Sequence, residues 1–333
     1  MGVIYLIVTP SFSLSGQLGN WSIINNLNVP RSDHSVVSNG QYLYVLGGYA
    51  YTSTPYPVER AEILSSGYLG PWTIESTSMI QPRADLVSAY VHGYLYAFGG
   101  VGDVSYSTTV ERAKVNLDGT LSEWSTIGYM PKELSRMSSI LYGDYFYLIG
   151  GFMASPDIYR TTLNPDGTIG TWTLLSSKLN IGRHGHMSIL IDTTVYVVSG
   201  VFSSGLTQSI EKATVFPDGT LSAFTVISYT GGGVVHIQGA LFYDRQYLNI
   251  VGGYNSGNYN YRSECATVNL DGSLGTWSPG PGLQVERGYL GYAQSTIAAY
   301  VIGGWNGSDV PTVEYAPMLG ATGIEKKDWE IFE

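Results

Sequence analysis

Tyr94-Leu95-Tyr96-Ala97-Phe98-Gly99-Gly100, followed by Val110-Glu111-Arg112 and then Asp118-Gly119-Thr120-Leu121-Ser122-Glu123-Trp124, carries the reading that decides the fold. The first stretch is short, aromatic and apolar, and it stops at two glycines, as a buried strand does at a tight connection. Asp-Gly between two extended segments is a hairpin signal, because the glycine supplies the positive φ that the turn requires. The passage therefore predicts two strands joined to a third by a loop, and a third joined to a fourth by a turn.

Moving outward, the same passage recurs. Glycine pairs stand at Gly47-Gly48, Gly99-Gly100, Gly150-Gly151, Gly252-Gly253 and Gly303-Gly304, with Ser199-Gly200 in the remaining slot. Their second members are 52, 51, 49, 53 and 51 residues apart. Aromatics mark a second phase at Trp21, Trp72, Trp124, Trp172, Phe224, Trp277 and Trp329. A third mark reads Val58-Glu59-Arg60, Val110-Glu111-Arg112, Ile158-Tyr159-Arg160, Ile210-Glu211-Lys212 and Ser263-Glu264-Cys265. A fourth is an arginine 17 residues before the second glycine: Arg31, Arg83, Arg183 and Arg287, with His236 in the fifth repeat and the nearest arginine of the third, Arg136, displaced by two. A period of about 51 residues with four strands per unit signifies a stacked or radial array, since one such sheet cannot bury both faces alone.

Composition agrees. The 333 residues include 42 Gly and 27 Tyr, and charged residues are only 13%. This is too aromatic and too poor in charge for a disordered chain, and no Gly-X-Y period supports collagen. Net charge is −10 without any Lys/Arg run, which argues against nucleic-acid binding and against a polybasic membrane surface. Cys265 is the only cysteine, so no internal disulfide and no multi-cysteine metal site can form. Residues 1–8 are apolar, lack a preceding basic residue and are too short to span a bilayer, so they read as a strand.

These marks resemble the kelch repeat over nearly the whole chain. The resemblance rests on the glycine pair after a strand, the Glu/Tyr-Arg strand, the outer-strand Trp and the Arg heading the inner strand. The Asp-Gly-Thr-Leu-x-x-Trp form is similar to kelch-like repeats of prokaryotes and phages. It implies an all-β, six-bladed propeller of four antiparallel strands per blade, labelled a to d from the inside out, in one domain over residues 1–333. There are six a–b hairpins but seven c–d hairpins. Residues 1–25 are expected to form an N-terminal c–d hairpin that closes the ring against strands at about 287–304. Residues 312–333 would be an additional C-terminal hairpin, available for oligomerisation or a larger assembly. Closure of this kind removes open sheet edges.

Strand direction puts the b–c and d–a loops on one face. Those loops differ between repeats, and Tyr254-Asn255-Ser256-Gly257-Asn258-Tyr259-Asn260-Tyr261 has a paratope-like mix of rigid aromatics and adaptable polar groups. The residues directly after the glycine pairs, including Tyr49, Phe152, Tyr254 and Trp305, are placed to ring the mouth of the central channel. The candidate ligand-binding residues are Tyr49, Tyr51, Tyr56, Tyr106, Phe152, Tyr254, Tyr259, Tyr261, Trp305 and the repeat-breaking His236. The periodic Arg series reads as structural, as the resemblance also implies, because a fork of five donors suits backbone carbonyls around the glycine turn. The Glu series reads the same way.

No catalytic residue, metal or cofactor is expected: His and carboxylates do not recur at ligand spacing, and no Gly-x-Ser-x-Gly elbow is present. The expectation is a non-catalytic binding or assembly module presenting its loop face to a protein or glycan, in an extracellular or virion-surface setting. The alternative is a carbohydrate-active enzyme, mutarotase-like or oxidase-like, with its site at the channel mouth.

Overall fold

The computed structural model describes residues 18–49, 57–102, 105–227, 237–255 and 257–319. They form six four-stranded antiparallel sheets. The second blade shows the pattern: strand a is Val87–Val91, b is Tyr94–Phe98, c is Thr109–Lys114 and d is Ser125–Tyr129. Inner strands of successive blades touch in cyclic order, the last against the first, so the sheets stand radially about a channel. Strand b is the most deeply buried, as its unbroken apolar runs require: Leu43–Leu46, Leu95–Phe98 and Val195–Val198 have no exposed surface.

The sixth blade is built from both ends of the described chain. Strands a, b and c are Gly291–Gln294, Ala298–Ile302 and Thr312–Pro317, and strand d is Ser22–Asn26. Ser22 pairs with Tyr315 and Asn26 with Thr312. This corrects the expectation from the sequence: the strand beginning near Val313 is not surplus, but supplies strand c, and the N-terminal region closes the ring against it rather than directly against strands a and b. The physical reason is register. In every blade strand c follows the loop after the glycine pair, here Gly303-Gly304, so only position d remains for the N-terminal segment. The rest of the two terminal hairpins, residues 1–17 and 320–333, lies outside the described residues.

The glycine pairs are contacts between blades. Gly48 donates its N–H to the carbonyl of Arg83 (3.0 Å), Gly100 to Leu134 (2.8 Å), Gly151 to Arg183 (2.9 Å) and Gly304 to Arg31 (2.9 Å). Gly47 has φ of 66°, and a Cβ there would strike the carbonyl oxygen of Arg83. The pair thus lets one blade's turn lie against the backbone of the next.

The Arg and Glu series meet inside each blade that has both. Arg183 donates Nη1 to the carbonyls of Ser199 (2.8 Å) and Ser209 (2.9 Å) and Nη2 to Glu211 Oε1 (2.6 Å). Glu211 in turn accepts the N–H groups of Asn180 and Ile181 on the incoming d–a loop. Arg31–Glu59, Arg83–Glu111 and Arg287–Glu314 repeat the arrangement, and all four pairs are wholly buried. Burying such charges is tolerable only because every donor and acceptor finds a partner.

A second set of cations bridges outward. Arg60, Arg112, Arg160 and Lys212 donate to the carbonyls of Asp118, Asp166, Asp218 and Asp271, each in the c–d turn of the next blade. Cys265 takes this slot in the fifth blade, buried and 3.5 Å from Ser278 Oγ.

Candidate functional site

The second residue after each arginine slot begins the channel. These residues are Asp33, Asp85, Arg136, Gly185, Gln238 and Tyr289, one per blade. All six have positive φ: 54°, 55°, 53°, 60°, 46° and 54°. Five non-glycine residues in the left-handed region at one equivalent position is a strain that the ring imposes. That conformation permits a circle of backbone hydrogen bonds between blades. Asp85 N–H donates to Asp33 O (2.8 Å), Arg136 to Asp85 (3.1 Å), Gly185 to Arg136 (2.8 Å), Gln238 to Gly185 (3.0 Å), and Asp33 to Tyr289 (2.9 Å). Leu290 N–H, 3.5 Å from Gln238 O, completes it.

Arg136 is therefore not a displaced copy of the repeat arginine. Leu134 fills that slot, Tyr159 replaces the partner glutamate, and Pro131 stands where the other blades present an N–H to that glutamate. Removing the cation removes the need for the anion, and Pro131 removes one of the two N–H groups that the glutamate accepts in the other blades.

Side chains from this circle knit across the channel and form a polar neck. Gln238 donates Nε2 to Asp33 Oδ1 (3.0 Å) and Asp85 Oδ1 (3.3 Å), and Arg136 donates Nε to Asp85 Oδ2 (3.0 Å). Burial, and then the charge of Asp85, push the Asp33 carboxyl well above its ordinary value and toward the protonated form. From the neck inward the channel holds a cavity of about 300 Å3, whose mixed lining joins the neck residues to Ser35, Ser88, Ser139 and Ser188 and to apolar side chains such as Val36 and Met187.

His34 and His186, one residue further along, are buried in the cavity wall. Burial, and then the neighbouring Arg31 or Arg183, lower both to about 3, so both imidazoles are neutral. His186 Nε2 lies 2.8 Å from Ser138 Oγ. Among the described residues, no three His, Cys, Asp or Glu side chains converge as metal ligands would.

Above the neck stand the aromatics read from the sequence. Tyr49, Val101, Val201, Tyr254 and Trp305 pair with Ser32, Ala84, His184, Ile237 and Gly288, each just before a neck residue. They therefore border the neck rather than form it. Tyr49, Phe152 and Tyr261 are 43%, 42% and 52% exposed. The paratope-like stretch folds as a small hairpin, Tyr254–Asn255 against Asn258–Tyr259. Tyr254 lies 5.5 Å from Tyr259 and 5.9 Å from the neck residue Tyr289. On the opposite side Tyr106 lies 4.9 Å from Phe152, which lies 6.3 Å from His184. Tyr51, Tyr56 and His236 lie outside the described residues.

Sequence reasoning missed the neck, because its residues share no chemical type. The available signal was phase: each sits two places after the arginine slot.

No family model matches the chain. Comparison with curated proteins finds proteins whose names carry kelch repeats. Kelch repeat and BTB domain-containing protein 1 of camelpox virus is 27% identical over 195 residues, covering 56% of this chain and 32% of that protein. The ectromelia virus protein of the same name is 28% identical over 165 residues, 48% and 27% of the two chains. Kelch-like protein 23 of Homo sapiens is 25% identical over 181 residues, 54% and 30%. The chain spans about a third of the length of these relatives.

Proposed function

Because the chain is a kelch-repeat β-propeller, we propose that it is a non-catalytic binding module whose loop face takes a protein partner. One observation carries this reading. The residues common to the repeats are engaged inside the blades in buried ion pairs, whereas the aromatics that differ between blades stand together around the neck on a rigid ring. Loops on a rigid scaffold are where recognition is ordinarily placed, and Tyr and Trp offer large contact area at small entropic cost. The kelch relatives support the same coarse role. The neck carboxyls, already engaged by Gln238 and Arg136, favour binding over catalysis.

The test uses the immobilised full chain to capture a partner from extract, followed by titration with the purified partner. A Tyr259→Ala/Tyr261→Ala/Trp305→Ala variant should weaken binding about tenfold or more, as loss of clustered aromatic anchors does. Unchanged affinity in a variant with the wild-type melting temperature would remove the aromatic face from the interaction.

A further inference from the structure

We propose that the channel cavity is a separate binding site for a small neutral polyhydroxylated molecule of monosaccharide size. Three features of the channel point to that chemistry, and none of them depends on a protein partner at the loop face.

The first is volume. About 300 Å3 is the lower end of ligand cavities, which run roughly 300–1,000 Å3, and suits one sugar ring rather than a peptide.

The second is the lining. Serine hydroxyls both donate and accept, as sugar hydroxyls do. Ser35 Oγ and Ser88 Oγ are 2.7 Å apart, and Ser188 Oγ donates to the Ser139 carbonyl (3.2 Å). Gly239 and Gly291 keep the wall close to the backbone, and Tyr292 adds an aromatic residue to it. The charges around the cavity cancel. Asp85 is paired with Arg136, Asp33 is held toward its neutral form, and both buried imidazoles are neutral. Such a lining disfavours an ion and favours a neutral polar solute.

The third is access. Five neck positions carry side chains, and the fourth blade has Gly185. A Cβ there would stand 3.1 Å from Ile237 and 3.5 Å from Gln238, so any side chain at this rim position would crowd Ile237 and the Gln238 amide and narrow the neck. The left-handed φ alone does not demand glycine, since Asp, Arg, Gln and Tyr adopt it at the equivalent positions.

The experiment is isothermal titration, with saturation-transfer NMR as a second readout, of the full chain with glucose, galactose, mannose and N-acetylglucosamine. Wild type should bind at least one of them with a Kd of about 1 mM or tighter. Gly185→Asn, which suits the left-handed backbone but crowds the rim beside Gln238, and Ser139→Val, which removes a hydroxyl from the wall, should each weaken that binding at least tenfold, with Ser139→Val melting like wild type. The Tyr259→Ala/Tyr261→Ala/Trp305→Ala variant should bind the sugar as wild type does. No binding of any of the four sugars overturns the proposal. So does binding that survives both cavity variants, or that is lost only in the aromatic variant, since the sugar would then sit on the loop face. Either result leaves the protein-partner reading to its own test.

Discussion

Nε2 of Gln238 lies 3.0 Å from Oδ1 of Asp33, a bond between the fifth and first blades across 205 residues of sequence. The same amide reaches Asp85 on the opposite blade. The neck is thus a cross-brace as well as a constriction, and the protonation of Asp33 belongs to its stability.

Asp33 has a folded pKa well above its ordinary 3.8. Between those two values the folded chain binds more protons than the unfolded one, so its contribution to stability falls as pH rises. Asp33→Asn removes this dependence and keeps a residue that tolerates the left-handed backbone. Urea melts from pH 4 to pH 8 should show the variant gaining on wild type as pH increases. A constant difference across that range would show that Asp33 titrates normally.

His34 and His186 act in the opposite sense. Each is lowered from 6.5 to about 3, so the unfolded chain takes up protons first and stability is lost as pH falls below 6.5. A His34→Gln/His186→Gln variant should be less stable at pH 7, since the rings are packed, yet should lose less further stability between pH 6.5 and pH 4. A wild-type slope in the variant would exonerate both histidines.

The third blade supplies a natural control for the buried ion pairs. Arg183→Leu leaves Glu211 buried without its cation and should cost about 3–5 kcal/mol. Asn180→Pro/Arg183→Leu/Glu211→Tyr copies Pro131, Leu134 and Tyr159 into the fourth blade. It should be clearly more stable than the single variant in denaturant melts. A triple variant as weak as Arg183→Leu would mean that the third blade relies on something other than this joint replacement.

Two glycines with left-handed backbone angles separate space from strain. Gly40 has φ of 87° and nothing within 4 Å of an added methyl, whereas Gly47 would drive its Cβ into the Arg83 carbonyl. Gly40→Ala should cost about 1 kcal/mol, the usual penalty of a left-handed alanine. Gly47→Ala should cost about 3 kcal/mol or more, because a blade must shift. Equal melting temperatures would contradict the inter-blade role of the glycine pair.

Periodicity made the blades, the glycine turns and the internal role of Arg31, Arg83, Arg183 and Arg287 legible, because each uses one residue type in one phase. The neck was not, because Asp33, Arg136, Gln238 and Tyr289 are united by φ and not by chemistry. The mixed sixth blade was not either: the resemblance of Val313-Glu314-Tyr315 to the other c strands is local, and only pairing with Ser22–Asn26 shows which half of the blade it completes. For the loop aromatics, identity and side of the ring were readable from phase and strand direction. The contact between Tyr254 and Tyr289 that ties the hairpin to the neck was not, because it joins residues of different blades.

The strand Ser22–Asn26 finds its partner in Thr312–Pro317, nearly the full described length of the chain away. This segment is synthesised early and its partner late, so the native pairing cannot form until Thr312–Pro317 has been made. The ring becomes a ring only at the last step, so a chain arrested before Pro317 exposes a ready template for a neighbouring copy. Emergence of Thr312–Pro317 is thereby the event that protects the molecule from joining others edge to edge.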